Sequence, residues 1–487
     1  MNLEHFISQF REHIIGINQT FKTPYGEQKV VYADWTASGR LYRPIEEKIC
    51  NELGPFVANT HTETSTTGAA MTLAYHEARK IIKRHVNAND NDVLITAESG
   101  MTGVVNKFQR ILGLKVSESL KNHTTIPDEV KPIIFISHME HHSNQTSWLE
   151  TIADVEVVPA DENGLVSVEN FENCIKKHQH REIKIVAITS CSNVTGIKTP
   201  YHEIAKLIHQ YNGLCFVDFA CCAPYVDINM HPKVEEEYLD AIYFSPHKFL
   251  GGPGSAGVLI FNKKLYKNIV PDNPGGGTVS YTNPWGQHDY FDDVETREDG
   301  GTPAFLQTIK IAFAIQLKEK MGVSNIEKRE NEINKVLFET LESLKGVQIL
   351  APNQKKRLSI FSFYFEKYHF NLVVKLLNDR FGIQTRGGCS CAGTYGHYLL
   401  NVDQETSTKI KNQILQGCNT EKPGWVRLSL HPTITNDELE FICNALKELA
   451  NHIESWSKEY VYDSSKNNFS HKEIQSTEKE LVTSWFS

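Results

Sequence analysis

The 487 residues carry 40% hydrophobic and 22% charged side chains, an ordinary balance for a globular chain long enough to bury most of its apolar surface. Whole-chain disorder, collagen-like repeats and small disulfide scaffolds are excluded. Fifty Lys and Arg against 59 Asp and Glu give a net charge of −9, which argues against general nucleic-acid binding, because a phosphate backbone rewards a basic surface.

Residues 1–25 alternate charge and apolarity and read as an amphipathic arm, with no continuous apolar core of a secretory signal. Segment 29–34 (KVVYAD) reads as a short strand. Over 71–86 the positions Ala74, Ala78, Ile81 and Ile82 fall on one helical face. A strand-like run at 93–96 leads through Ala97-Glu98-Ser99-Gly100 into a helix with Val104, Phe108, Ile111 and Leu112 on one side. Short apolar runs follow at 133–137, 155–158, 185–190, 214–218, 241–245 and 257–261, with helical patterns between them; the clearest is Ile204, Leu207, Ile208 and Tyr211. Such runs suit strands buried on both faces, and their alternation with helices predicts a large, mostly parallel α/β sheet.

Two Gly/Pro-rich stretches, 271–278 and 299–303, interrupt the alternation. A long helical region then runs from Pro303 to about Leu344. Strands near 359–365 and 426–430 and helices near 372–380 and 437–453 follow. The expected organisation is an arm (1–25), a large α/β domain (26–325), a smaller α+β domain (326–455) and a polar tail (456–487) rich in Ser, Lys, Glu and Asn. No run of about 18 apolar residues exists, so no membrane span is expected. Several of the ten Cys sit in apolar runs, where a free thiol behaves as a small hydrophobe; a reducing compartment, the cytoplasm, is expected.

Five motifs hold residues suited to chemistry. Lys248, in Ser245-Pro246-His247-Lys248-Phe249-Leu250-Gly251-Gly252, follows a buried strand where parallel sheets bind ligands, and could hold a carbonyl as a Schiff base or be an ordinary surface lysine. Asp218 ends the run LCFVD, a position that faces a ligand, a metal or a helix cap. The segment Met139-Glu140-His141-His142-Ser143-Asn144 allows metal ligation, with His138, or a ring packing on a cofactor. Ser99-Gly100-Met101-Thr102-Gly103 opens a helix and suits a phosphate or a simple cap. Arg386-Gly387-Gly388-Cys389-Ser390-Cys391-Ala392-Gly393 sets two thiols in a glycine-flanked loop. Zinc would need two further ligands, of which His397 supplies one at most; a disulfide pair or a reactive thiol, its thiolate favoured by a nearby Arg, are the other readings.

Taken in order, SGMTG, MEHHSN, SNVTG, FVDFA, SPHKFLGG, GGTP and RGGCSCAG resemble the class V aminotransferase family of pyridoxal-phosphate enzymes over roughly residues 30–450, and within it the group II cysteine desulfurases and selenocysteine lyases. The resemblance implies a fold-type-I architecture, a homodimer and pyridoxal 5′-phosphate as cofactor, with no metal. It makes Lys248 the Schiff-base lysine, Asp218 the partner of the pyridinium nitrogen, His141 the ring that stacks on the cofactor and Asn193 a ligand of its phenolic oxygen. Gly100, Met101, Thr102, Ser245 and His247 would hold the phosphate, and Thr302 would reach that of a neighbouring subunit. Arg427 would grip the substrate carboxylate, Arg386 would act from the loop, and Cys391 would be the nucleophile that takes sulfur from L-cysteine, or selenium from L-selenocysteine, to leave L-alanine. A sulfur-acceptor protein is a possible partner. Two departures stand out: Cys221 occupies a position where desulfurases carry Gln, and Cys389 adds a second loop thiol. Transamination, lyase or epimerase chemistry on the same cofactor is the main alternative, and a non-catalytic sulfur-transfer scaffold a third.

Overall fold

The computed structural model describes residues 3–121, 123–474 and 478–487; Met1 and Asn2 of the expected arm and 475–477 of the expected tail lie outside the described residues. The chain forms two compact units. One comprises Ser38–Ser192 and Lys198–Val323, the other Met1–Ala37, Asn193–Ile197 and Ser324–Ser487. No helix among the described residues is long and apolar enough to cross a membrane.

The larger unit is built on seven strands, β1 (Asp92–Ala97), β2 (Ile133–Ser137), β3 (Asp154–Val158), β4 (Lys184–Thr189), β5 (Leu214–Asp218), β6 (Ala241–Phe244) and β7 (Gly257–Asn262). Their order in the sheet is β1-β7-β6-β5-β4-β2-β3. Only β7 runs against its neighbours. Every residue of β2, β4 and β6 is buried, as the continuous apolar runs require of strands covered on both faces. Helices α1 (Thr66–His85) and α2 (Met101–Ile111) belong to this unit; Val104, Val105, Phe108 and Ile111 of α2 pack into one apolar cluster with Phe216 and Phe261 of the sheet. The parallel direction of β1, β2, β4, β5 and β6 brings their carboxyl ends to one edge. The four loops that carry Gly100, His141, Asp218 and Lys248 all leave from that edge.

The smaller unit centres on an antiparallel sheet of β8 (Val347–Ile349), β9 (Ile360–Phe365), β10 (Arg386–Gly388) and β11 (Trp425–Ser429), in the order β8-β9-β11-β10. Helices α3 (Phe370–Phe381) and α4 (Asn436–Trp456) supply its apolar cover, with Leu376, Leu377, Ile442 and Leu446 fully buried. The N-terminal segment is part of this unit: Val31–Tyr32 pairs in parallel with Ile383–Gln384, and Arg11 bonds Glu438 at 2.8 Å. Part of the expected tail is structured as well. Tyr460–Asp463 and Asn468–His471 form a hairpin in which the Tyr460 hydroxyl donates to Asp379 of α3 at 2.9 Å. The long helical region after Pro303 is two helices, Phe305–Met321 and Val323–Ser343, because Gly322 takes a left-handed φ of 78° between them.

Candidate active site

In the larger unit, β6 ends at Phe244 and the chain enters a tight turn, Pro246–Lys248, followed by Phe249, Leu250 and two glycines. The close approach at Gly252 and at Gly39 is backbone against backbone. A Cβ on Gly252 would stand 1.9 Å from the Pro246 carbonyl oxygen, and one on Gly39 would stand 2.0 Å from that of Phe249. Gly39 N–H donates to the His247 carbonyl at 2.9 Å and Gly251 N–H to that of Arg40 at 2.8 Å. Lys248 is therefore carried on a backbone with almost no freedom, and its side chain is half-buried.

Asp218 closes β5 in full burial, one oxygen accepting the Ala220 N–H at 2.7 Å. Burial pushes its carboxyl up to about 6, an effect that the Ala220 bond and the Lys248 charge partly offset. Cys221 is also buried, its thiol directed to the Ser192 carbonyl at 3.6 Å. The His141 ring is half-buried and caps the helix His142–Leu149, its Nδ1 accepting the Ser143 N–H at 3.1 Å. An imidazole whose Nδ1 accepts carries its proton on Nε2.

Glu140, beside His141, is the residue that fixes this loop. It accepts from the Ser137 hydroxyl (2.5 Å), the Asn144 amide (2.7 Å) and the Thr189 N–H (3.0 Å), which ties the His141 turn to β2 and β4. Burial raises its carboxyl to about 8, and the nearby Asp218 adds to the rise. His138 turns away to the Gly164 carbonyl at 3.1 Å. Thus Glu140 and His138, open to a metal reading from sequence, have structural partners.

Gly100 opens α2 in extended backbone (φ 171°), and a Cβ there would lie 3.3 Å from Ser245 Oγ and 3.7 Å from the His247 ring. Met101 N–H donates to Ser245 Oγ at 2.8 Å, and the exposed Thr102 hydroxyl lies 2.7 Å from that of Ser143. Burial, with the Lys248 charge second, lowers His247 to about 4, so this ring is neutral. A helix start, three hydroxyls and the bare Cα of Gly100 form a cup with the donors a phosphate takes. Together with a buried carboxylate for a protonated ring nitrogen, these residues fit pyridoxal 5′-phosphate.

Thr302 is exposed, on a loop anchored just before it by buried charges. Asp299 accepts the Tyr75 hydroxyl at 2.8 Å and lies 3.6 Å from Arg79; Glu298 pairs with Lys107 at 2.7 Å.

In the smaller unit, Arg386 and Arg427 are direct cross-strand partners on β10 and β11. One carboxylate joins them. Asp34 Oδ2 meets Arg386 Nε at 3.0 Å and Asp34 Oδ1 meets Arg427 Nη2 at 2.6 Å. Arg427 is buried and also donates to the Asn193 carbonyl at 3.2 Å. The Asn193 amide in turn donates to the Ser390 carbonyl at 2.6 Å. Three buried polar atoms of this network have no partner: Arg427 Nε, Asn193 Oδ1 and Ser390 Oγ. Ser390 and Cys391 both take left-handed φ, 51° and 58°, and Cys391 is exposed while Cys389 is half-buried. Both thiols are free.

The sequence-derived residues thus fall into two groups. Lys248, Asp218, His141, Cys221, Gly100, Met101, Thr102, Ser245, His247 and Thr302 belong to the larger unit, and Asn193, Arg386, Cys391 and Arg427 to the smaller. Asp34 escaped sequence reasoning; Glu140 entered it only as a metal-ligand option and Ser143 only as a member of its motif. Asp34 had one available signal, a charge closing the run KVVYAD, and Glu140 another, a carboxylate between two His.

A family model described as aminotransferase class-V matches residues 31–442. A protein of Halalkalibacterium halodurans described as a probable cysteine desulfurase is 30% identical over 367 residues, covering 74% of this chain and 84% of the relative. One of the same description from Staphylococcus aureus is 28% identical over 392 residues, covering 78% and 89%. Among solved structures, the apo structure of a cysteine desulfurase from Thermococcus onnurineus superposes with a TM-score of 0.72 at 24% identity, covering 91% of this chain and 98% of that one, a likeness of fold.

Proposed function

The chain belongs to the class-V aminotransferase family, and on that premise we propose that it is a pyridoxal-phosphate enzyme that removes sulfur from L-cysteine, or selenium from L-selenocysteine, and releases L-alanine. The observation that carries the reading is the exposed Cys391 on a loop held to the Arg427 network by Asn193. A transaminase or an epimerase has no use for that thiol.

When bound, the cofactor supplies a sink for the electrons left at the substrate Cα. Gly100, Met101, Thr102, Ser245 and His247 would hold its phosphate, His141 and Asp218 its ring, and Lys248 its carbonyl carbon. Cys221, on the Ser192 carbonyl, offers a weak thiol where a stronger donor would tune the ring oxygen. Asn193 Oδ1, buried without a partner, suits a hydroxyl of that ring.

The chain's own groups divide the work. Arg427 and Arg386 take the substrate carboxylate. Lys248 Nζ removes the Cα proton and holds it. Cys391 attacks, as its thiolate, the substrate sulfur; the C–S bond breaks, alanine is released after protonation, and the sulfur stays as a persulfide on Cys391. Cysteine and one thiol thereby become alanine and one persulfide, with atoms balanced. Exposure of Cys391 suits onward transfer to an acceptor protein, and the exposed Thr302 suits contact with the phosphate of a second copy in a homodimer. The free cysteines packed as core residues, Cys174, Cys215 and Cys443, support the reading of a reducing compartment, the cytoplasm.

The test measures alanine release from L-cysteine and L-selenocysteine by the loaded wild type, Lys248→Ala and Cys391→Ala. Both variants are expected to lose the cysteine reaction by at least about a thousandfold. Release from selenocysteine that survives Cys391→Ala would narrow the function to a selenocysteine lyase. No alanine from either substrate, in protein that still binds the cofactor, would overturn the reading.

A further inference from the structure

Arg386 and Arg427 stand directly opposite each other on neighbouring antiparallel strands, where like charges repel. Arg427 is also out of water, its side chain 4% exposed, whereas that of Arg386 is 48% exposed. Two guanidinium groups in this relation need a counter-charge to share an orientation. Asp34 gives each of them one oxygen.

The position of Asp34 is fixed by backbone rather than by the arginines. Ser429 N–H donates to the Ala33 carbonyl at 2.8 Å, and Thr36 N–H donates to the Ser429 hydroxyl at 3.0 Å. Asp34 bridges Ser429 in register, two residues beyond Arg427 on β11. The carboxylate is therefore preset. The triad of one carboxylate and two guanidinium groups keeps a net single positive charge, and Arg427 Nε inside it has no partner. A single negative charge with hydrogen-bond acceptors completes such a group.

We propose that Asp34 is the positioning residue of the substrate-carboxylate receptor: it aligns the buried Arg427 and the reachable Arg386 so that both serve one α-carboxylate. This rests on the amino-acid reading above and adds to it the residue that sets carboxylate recognition.

The test is a calorimetric titration of the cofactor-loaded enzyme with L-alanine and with L-alaninamide, which lacks the carboxylate. In the wild type alanine is expected to bind at least about tenfold more tightly than its amide. In Asp34→Asn that preference falls to about threefold or less, KM for L-cysteine rises at least about tenfold, and kcat stays within about threefold. Asp34→Glu keeps the charge on a longer stem and is expected to fold and to lose part of the preference; it stands in if Asp34→Asn does not fold. A wild-type preference retained in the variant overturns the proposal. So does tighter alanine binding, since Asp34 would then be a competitor of the substrate. A wild type that binds both ligands alike and makes no alanine from cysteine brings down the functional reading instead.

Discussion

The lysine loop and the cysteine loop are built in opposite ways. Around Lys248 the chain is wedged by its own backbone, with Gly39 and Gly252 packed against the carbonyls of Phe249 and Pro246. Around Cys391 neither Gly387 nor Gly388 is wedged against backbone; the loop closes on a single turn, Ala392 N–H donating to the Cys389 carbonyl at 3.0 Å. Two residues adopt left-handed φ, Gly388 opens onto empty space, and one side-chain amide, that of Asn193, holds the Ser390 carbonyl. A group that must sit still against a rigid ring belongs on the first kind of loop. In the proposed reaction, a thiol that receives an atom and then gives it to another molecule belongs on the second.

Matched glycine substitutions should break this comparison most sharply. Gly252→Ala forces a Cβ into a backbone oxygen that cannot give way. It is expected to destabilise the protein by about 4 kcal/mol and to abolish cofactor binding, read by chemical denaturation and by absorbance of the loaded enzyme. Gly388→Ala meets no atom within 4 Å and strains only its φ of 110°. A loss of about 1 kcal/mol is expected, with cofactor binding intact. Equal effects at the two sites would refute the contrast.

Asp218 sharpens it from the rigid side. Burial lifts this carboxyl from 3.8 to about 6. The folded state therefore binds more protons than the unfolded one between those values, and the protein without cofactor loses stability as pH rises through that window. Above about pH 6 the penalty is complete and amounts to up to about 3 kcal/mol. Asp218→Asn should make the unloaded protein more stable at pH 8 by up to that amount and no more stable at pH 4, while weakening cofactor binding. Urea melts at the two pH values decide it; a variant no more stable at pH 8 would contradict the cause given for the shift.

On the loose side, Asn193→Ala removes the tie to Ser390. A loss of about 1–2 kcal/mol is expected from the buried carbonyl left unpaired. The discriminating readout is alkylation of Cys391 by iodoacetamide, which should quicken by about threefold or more. An unchanged rate would mean that the loop is held by something other than this amide.

The larger unit was the more legible in sequence. Its strands are continuous apolar runs, and each candidate loop follows one of them, so Gly100, His141, Asp218 and Lys248 could be placed at strand ends before any coordinates. The smaller unit was less so, because its functional contacts join segments far apart in the chain. Nothing local in KVVYAD says that Asp34 meets residues 352 and 393 positions later. The family resemblance makes Asn193 a ligand of a ring oxygen; that its amide nitrogen also holds a loop carbonyl is available only once 193–197 lies against β9, where Ser362 donates to the Val194 carbonyl at 2.7 Å. The hairpin at 460–471 was hidden by composition, since one buried tyrosine among polar residues carries little periodic signal.

The mosaic make-up of the smaller unit bears on how the protein is born. Its three pieces lie far apart in the chain, so Val31–Tyr32 leaves the ribosome more than 300 residues before the strand it pairs with. The larger unit has its complete sheet by residue 262. The strands that carry Arg386 and Arg427 are synthesised well after that, so a nascent chain completes the loop around Lys248 well before the loop around Cys391. A polypeptide cut short after residue 262 would therefore retain the Lys248 loop yet lack Cys391, and its unpaired N-terminal strand would be a template for aggregation.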